Sequence, residues 1–326
     1  MSGVGILPLG LKVVRDIREA CPTAFINGQG GIRTARDVLA YFGNGANAIG
    51  IGTACAGMDD WHLQHYFPDI IDDCRNGTNN AEQWLCKVDT EYRRVRVARR
   101  IDHDCDFKTI VTDSRMENAG PGSYLFAWIP GISERPFSIV DDNPLTLTVL
   151  TRGPFTKALN ELEKGDAFYY RGPYGKPVTM PTDTVALVGG GCGIAGIYHI
   201  AKHAQRLGRN VRMYLAAKDA NHLPLLEEFE RFGEVFFATE DGSLGEKGLV
   251  TDLLKKHTPK RHTCFFNCGP ARMVEAVLPI EKLYATPQHI YSSLDYMTRC
   301  GIGICGSCAD RKGRRTCVEG PFMRMD

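Results

Sequence analysis

The spacing of apolar positions changes character three times along the chain. Residues 9–20 repeat at helical period, and 23–27 form a short apolar run of strand length that enters the glycine-rich turn 28–31. A helix over 34–41, a strand over 46–52 and a helix over 59–74 follow, which is (βα)(βα) punctuation, and 75–80 read as a loop or linker. Across 91–178 short alternating runs take over, at 92–101, 106–113, 123–130, 137–140, 145–150 and 167–171, parted by Pro-Gly, Gly-Pro, Asp-Asn-Pro and Lys-Gly-Asp turns. That pattern predicts a small antiparallel β-barrel interrupted by one helix over 155–163. From 182 to 280 strands at 184–188, 209–217, 234–239 and 263–267 alternate with helices at 194–207, 223–232 and 250–256, a doubly wound α/β pattern. Few regular elements are expected after 285. The expected domains are therefore 1–78, 87–180, 181–284 and 285–326.

Charge and composition narrow the function. A formal net charge of +1 over 326 residues gives no basic patch for nucleic acid. No apolar stretch approaches the length of a membrane span, and the N-terminus lacks the features of a signal peptide. Of twelve cysteines, eight are scattered singly and four crowd together near the C-terminus. That usage predicts a reducing, cytoplasmic compartment and a metal or cluster site rather than a disulfide scaffold.

The crowded four are Cys300, Cys305, Cys308 and Cys317, spaced C-x4-C-x2-C-x8-C. Four thiolates bind iron or zinc, and the first three spacings are those of a plant-type [2Fe–2S] loop. Gly301, Gly303 and Gly306 let backbone approach inorganic sulfide. A structural zinc site is the competing reading.

Two further constellations suit nucleotides. In the barrel region, Arg135 of Arg135-Pro-Phe137-Ser138 suits a flavin pyrophosphate, Phe137 can stack, and Ser138 can reach the flavin edge. Gly153 and Thr156 open a helix whose amides suit a phosphate, and Gly172, Tyr174 and Gly175 close the barrel. Farther on, Gly189, Gly190, Gly191 and Gly193 lie between a strand and a helix, as a dinucleotide loop requires. Cys268, Gly269 and Pro270 end a later strand, which puts Cys268 near a nicotinamide. Lys218-Asp219 leaves NAD against NADP open.

Barrel, dinucleotide domain and cysteine cluster, in this order, resemble the ferredoxin-reductase-like iron–sulfur flavoproteins. Residues 87–326 are similar to the electron-transfer subunits of heteromeric, NAD-linked dihydroorotate dehydrogenases. The resemblance rests on Pro121-Gly-Ser-Tyr124, Arg135 to Ser138, Gly172 to Gly175, Gly189 to Gly196, Asp241-Gly-Ser243, Cys268 to Pro270, and the four cysteines with Val318-Glu-Gly-Pro321. It implies a [2Fe–2S] cluster, FAD and NAD, and a catalytic partner subunit in a heterotetramer. Electrons from dihydroorotate, taken up by FMN on the partner, would pass through cluster and FAD to NAD⁺. In residues 1–78, Ile26 to Ile32 and Ala48 to Thr53 resemble the last βα units of the catalytic barrel, where Gly30, Gly31, Gly52 and Thr53 would form half of an FMN phosphate site. The implied fold is multidomain: a partial TIM-barrel fragment, an antiparallel FAD barrel, a doubly wound NAD domain and a small C-terminal [2Fe–2S] domain. A full barrel takes about 250 residues, so the expectation is a split or truncated fusion whose barrel a partner completes before FMN binds. A related NAD(P)H:acceptor reductase subunit and a non-catalytic metal-binding assembly protein are the alternatives.

Overall fold

The computed structural model describes residues 3–103, 107–294 and 296–325. Asp106, the first residue of one expected strand, lies outside them. The chain divides into two compact units. One is Met1–Asp89 with Ile302–Gly306 and Arg311–Arg314; the other is Thr90–Gly301 with Ser307–Asp310 and Arg315–Asp326.

The first unit runs α1 (Leu7–Ala20), β1 (Asn27–Gln29), α2 (Ala35–Gly43), β2 (Ala48–Gly50) and α3 (Asp60–Asn76). β1 and β2 pair in parallel, with Gln29 opposite Gly50. The strand expected at 23–27 is displaced toward the glycine turn. Only Asn27 to Gln29 find partners on β2, and Phe25 is left 78% exposed. The helix ends are set locally. Thr34 and Asp37 form a capping box at α2, Asp59 accepts the His62 amide at α3, and Gly77 closes α3 in the left-handed conformation. Val14, Ile26, Val38, Tyr41, Tyr66 and Ile70 form the core of this unit.

The second unit begins with a seven-stranded antiparallel sheet. Its strands are β3 (Arg93–Asp102), β4 (Phe107–Thr112), β5 (Tyr124–Ile129), β6 (Ser133–Ser138), β7 (Asp141–Asp142), β8 (Leu145–Leu150) and β9 (Ala167–Tyr174), with α4 (Pro154–Glu161) before β9. The order is β6-β5-β9-β3-β4-β8-β7. Arg135 to Ser138, expected at the start of a strand, instead end one. A turn at Gly131, with φ +79°, reverses the chain after β5, so pairing begins at Ser133 and finishes with Ser138 opposite Tyr124.

A second sheet follows: β10 (Thr184–Gly190), α5 (Gly193–Arg206), β11 (Asn210–Ala217), α6 (Leu226–Phe229), β12 (Glu234–Thr239), β13 (Glu246–Lys247), α7 (Val250–Lys256), β14 (Thr263–Cys268), α8 (Ala271–Glu281), β15 (Ile290–Ser293), α9 (Thr316–Glu319) and β16 (Met323–Arg324). Val185 and Leu187 join one core with α5, while Ala186 and Val188 join another with α7. The central strand is therefore buried on both faces, as a parallel strand should be. The order β13-β12-β11-β10-β14-β15-β16 reverses direction between β10 and β14, a topological switch point where ligands bind in open α/β sheets. The helix expected at 223–232 shrinks to the single turn Leu226–Phe229. Pro224 disfavours helix before it, and Leu225 takes φ +65°. Of the segment set apart at 285–326, β15 and β16 are strands of this sheet.

Candidate functional site

The glycines at the switch point are each held by close packing or left facing space. A Cβ on Gly193 would stand 2.0 Å from the Cys268 carbonyl oxygen, and one on Gly190 would stand 2.4 Å from Met273 Sδ. At Gly189 it would meet Ile197 Cδ1 at 2.8 Å, and at Gly269 Met273 Cε at 2.6 Å. Helix α5 and the β14 turn, which leads through Pro270 into α8, thus close on one another only without side chains here. Gly191, with φ +53°, has nothing within 4 Å of a Cβ and faces open space.

One turn along α5, the Cβ position of Gly196 lies 2.9 Å from Cys268 Sγ and 3.2 Å from Ser138 Oγ. The structure therefore brings together the serine of the barrel motif and the cysteine of the dinucleotide motif, residues 130 positions apart in sequence. Phe137, beside Ser138, stacks on Phe155 with centroids 6.0 Å apart. Arg135 is exposed, and its Nη1 donates to Ser133 Oγ at 2.6 Å and to the Glu134 carbonyl at 2.7 Å. Gly153 faces open space at the start of α4. The Arg152 and Gly153 amides, expected to face a phosphate, donate to Thr156 Oγ1 at 2.8 and 3.0 Å. Thr156 is a helix cap in this arrangement.

Behind the β5–β6 pair, aromatic rings meet the cysteine region. Tyr124, Phe126 and Tyr174 lie about one ring contact apart, with centroids 6.0–6.1 Å from each other. A Cβ on Gly301, the residue after Cys300, would strike Phe126 Cε2 at 2.7 Å, and its φ of +77° is one that glycine accepts freely. Gly175, with φ +84°, packs on the Gly320 carbonyl at 2.7 Å from its Cβ position. Cys308 and Cys317 are buried, and the Thr316 amide donates to the Cys308 carbonyl at 3.2 Å. Burial, then the thiols of Cys317, Cys308 and Cys300, hold the Tyr124 phenol well above its ordinary pKa. Cys305 is exposed and falls in the Ile302–Gly306 segment, which groups with the first unit. Among the described residues no three His, Cys, Asp or Glu side chains converge as a single-ion site.

Sequence reasoning missed Arg171. It is 6% exposed, lies 4.0 Å over the Phe126 ring, and donates to Glu134 through Nε at 3.0 Å and Nη2 at 2.8 Å. Its Nη1 reaches the Cys300 carbonyl at 2.8 Å and Tyr174 Oη at 3.2 Å, and Tyr92 donates to the same Glu134. Burial opposes the charge, but the Glu134 and Tyr174 bonds outweigh it and hold the guanidinium above its ordinary value. The one sequence signal was a charge placed directly before Gly172-Pro in an aromatic strand.

In the first unit, Gly30 and Gly31 follow β1 and Gly52 and Thr53 lie just past β2, so both pairs come after the carboxyl ends of parallel strands. Gly31, with φ +76°, is tight on Leu7, while Gly52 faces open space.

Comparison with known proteins identifies the family. Residues 187–278 match the oxidoreductase NAD-binding domain model. The NADH-dependent reduced ferredoxin-NADP oxidoreductase structure superposes with a TM-score of 0.64 at 27% identity, over 71% of this chain and 87% of that one. Phthalate dioxygenase reductase shares the fold, with a TM-score of 0.53 at 16% identity over 64% and 70%. A Pyrococcus horikoshii protein named as a dihydroorotate dehydrogenase B (NAD(+)) electron transfer subunit is 39% identical over 67% of this chain and 84% of its own length. Its Thermococcus kodakarensis namesake is 35% identical over 71% and 96%. This oxidoreductase chain belongs to the family of dihydroorotate dehydrogenase B (NAD(+)) electron transfer subunits.

Proposed function

We propose that the chain carries electrons from a dihydroorotate dehydrogenase catalytic subunit, with which it assembles as a heterotetramer, to NAD⁺ in the cytoplasm. Dihydroorotate gives up two electrons and two protons; NAD⁺ takes up both electrons with one proton, and the other proton is released. When bound, a [2Fe–2S] cluster handles single electrons, and FAD joins one-electron to two-electron transfer. Cys300, Cys305, Cys308 and Cys317 hold the cluster. Arg135, Phe137, Ser138, Gly153, Thr156, Gly172, Tyr174 and Gly175 hold FAD. Gly189, Gly190, Gly191, Gly193, Cys268, Gly269 and Pro270 hold NAD. Gly30, Gly31, Gly52 and Thr53 supply half of an FMN phosphate site when a partner completes the barrel.

The observation that carries this reading is the meeting of Ser138 Oγ and Cys268 Sγ at Gly196. That closeness supports assigning Ser138 to the flavin edge and Cys268 to the nicotinamide side of one site. Open space at Gly191 fits a pyrophosphate approaching the α5 N-terminus. Support for the cluster comes from the thiol spacing and from a buried Tyr124 hydroxyl that has no partner among the described residues and whose ring packs at Gly175, beside Gly320 and Pro321. Among the described residues no helix is long and apolar enough to cross a membrane.

The test is an absorbance spectrum of the anaerobically purified chain, with iron, acid-labile sulfide and flavin counts. Iron and sulfide in equal number with FAD, bleached by NADH, is the expected result. Zinc without flavin overturns it. The likeness to the ferredoxin-NADP oxidoreductase structure favours a second reading, in which the partner is a different acceptor protein. Co-purification with a dihydroorotate dehydrogenase catalytic chain separates the two.

A further inference from the structure

One hydroxyl in the sheet interior is left unsatisfied by the chain. Tyr124 opens β5 and is 6% exposed, and its Oη is buried with no hydrogen-bond partner among the described residues. A buried donor without an acceptor is costly, and native interiors rarely keep one. The ring is bracketed by the two ends of the cysteine region. On one side are Phe126 and Tyr174, the side chains that a Cβ on Gly301 would strike at 2.7 and 3.3 Å. On the other, Tyr124 Cδ1 lies 3.3 Å from the Gly175 Cβ position, whose nearer neighbours are the Gly320 carbonyl and Pro321 Cδ, just past Cys317. Gly301 follows Cys300 directly, and Gly320 and Pro321 stand three and four residues after Cys317, so both neighbours of the ring belong to the cysteine segment. The described residues supply the hydroxyl with no acceptor, and the chain packed on both sides of its ring leads to Cys300 and to Cys317.

We infer that Tyr124 donates its phenol hydrogen to a sulfur of the iron–sulfur cluster and so raises the cluster's reduction potential. The inference rests on the cluster reading above. Reduction adds negative charge to the sulfurs, so a donor favours the reduced form, as outer hydrogen bonds do at metal centres generally. Tyr124 is a tuning residue and not a ligand: its loss leaves the cluster bound. It stands opposite Ser138 in the β5–β6 register, so the strand pair that holds the flavin edge also presents the donor.

The experiment compares the full-length anaerobic protein with Tyr124→Phe. Iron and sulfide counts on the wild type come first; if they are absent, the cluster reading fails and takes this inference with it. With the cluster present, a redox titration followed by electron paramagnetic resonance is expected to show unchanged iron content in the variant. It should also show reduction disfavoured roughly tenfold, about 59 mV more negative for one electron. Exchange into D2O should shift the iron–sulfur vibrations of the wild type more than those of the variant. Amide donors to sulfur common to both proteins cancel in that comparison, and a wild type that does not respond at all refutes the bond without the variant. An unchanged potential in a fully loaded variant, or wild-type vibrations indifferent to D2O, overturns the inference. Because the hydroxyl has no partner among the described residues, the cluster-free variant should be no less stable than the cluster-free wild type.

Discussion

Replacing Glu281 with Gln probes a carboxyl with no exposed surface. Glu281 ends α8, and Asn267 Nδ2 donates to its Oε2 at 2.9 Å. Its Oε1 and Asn267 Oδ1 have no partner among the described residues. Burial pushes the acid from 4.5 up to about 8, against the smaller lowering effect of Asn267. Between those two values the folded chain keeps a proton that the unfolded chain has lost. Stability contributed by this group therefore falls as pH rises, by about 1.4 kcal/mol per pH unit. It is level below the unfolded value and level again above the folded one. The glutamine of Glu281→Gln has the same shape and cannot ionise. Urea unfolding of both proteins at about pH 5.5 and about pH 7.5 should show the variant's advantage growing by roughly 3 kcal/mol across that interval. Taking the difference between the two proteins at each pH removes other titrating groups. An advantage that does not change with pH would mean that the carboxyl is already ionised in place, and the account of a neutral interior acid would be wrong.

Gly193→Ala should weaken NADH binding at least about tenfold in a fluorescence or bleaching titration, because α5 must move away from the Cys268 carbonyl. Flavin content should be retained, and equal loss of both nucleotides would count against separate sites. Arg171→Met leaves Glu134 without its bidentate partner and frees the Cys300 carbonyl. It should cost about 3 kcal/mol in thermal unfolding and make the iron more easily lost on gel filtration. Arg171→Lys keeps the charge and loses the fork, so it should recover only part of both. Iron retained equally in all three proteins would refute a positioning role for Arg171.

Legibility followed the range of the determining contacts. β10 was readable because a strand buried on both faces is a continuous apolar run, and its glycine loop announced the helix start. The α2 and α3 boundaries were readable because Thr34, Asp37, Asp59 and Gly77 act within a few residues of themselves. The β6 assignment slipped because its start depends on the turn at Gly131 and on which residues of β5 it meets. The 223–232 helix failed on Pro224 and Leu225, where local backbone preference overrode the apolar period. The nucleotide motifs were visible one at a time, but the approach of Ser138 to Cys268 around Gly196 is a property of packing. Arg171 was opaque for the same reason: its partners Tyr92, Glu134 and Cys300 are remote in sequence, and no spacing connects them.

The pairing of β15 with β16 gives the C-terminal segment an unexpected mechanical status. Tyr291 faces Arg324 and Ser292 faces Met323 in an antiparallel ladder, so the whole cysteine-bearing stretch between them is the loop of one oversized hairpin. Closing so long a loop is entropically expensive, and two rungs at a sheet edge return little. On the cluster proposal, a multidentate inorganic core held by these cysteines would act as an internal rivet that shortens the effective loop and keeps the edge strand docked. Maturation then has a natural order. On the same proposal, β10, β11 and β14 would form first without the hairpin, and its zipping would wait on metallation. Limited proteolysis should accordingly cut an immature chain after Ser293 while sparing the nucleotide sheet.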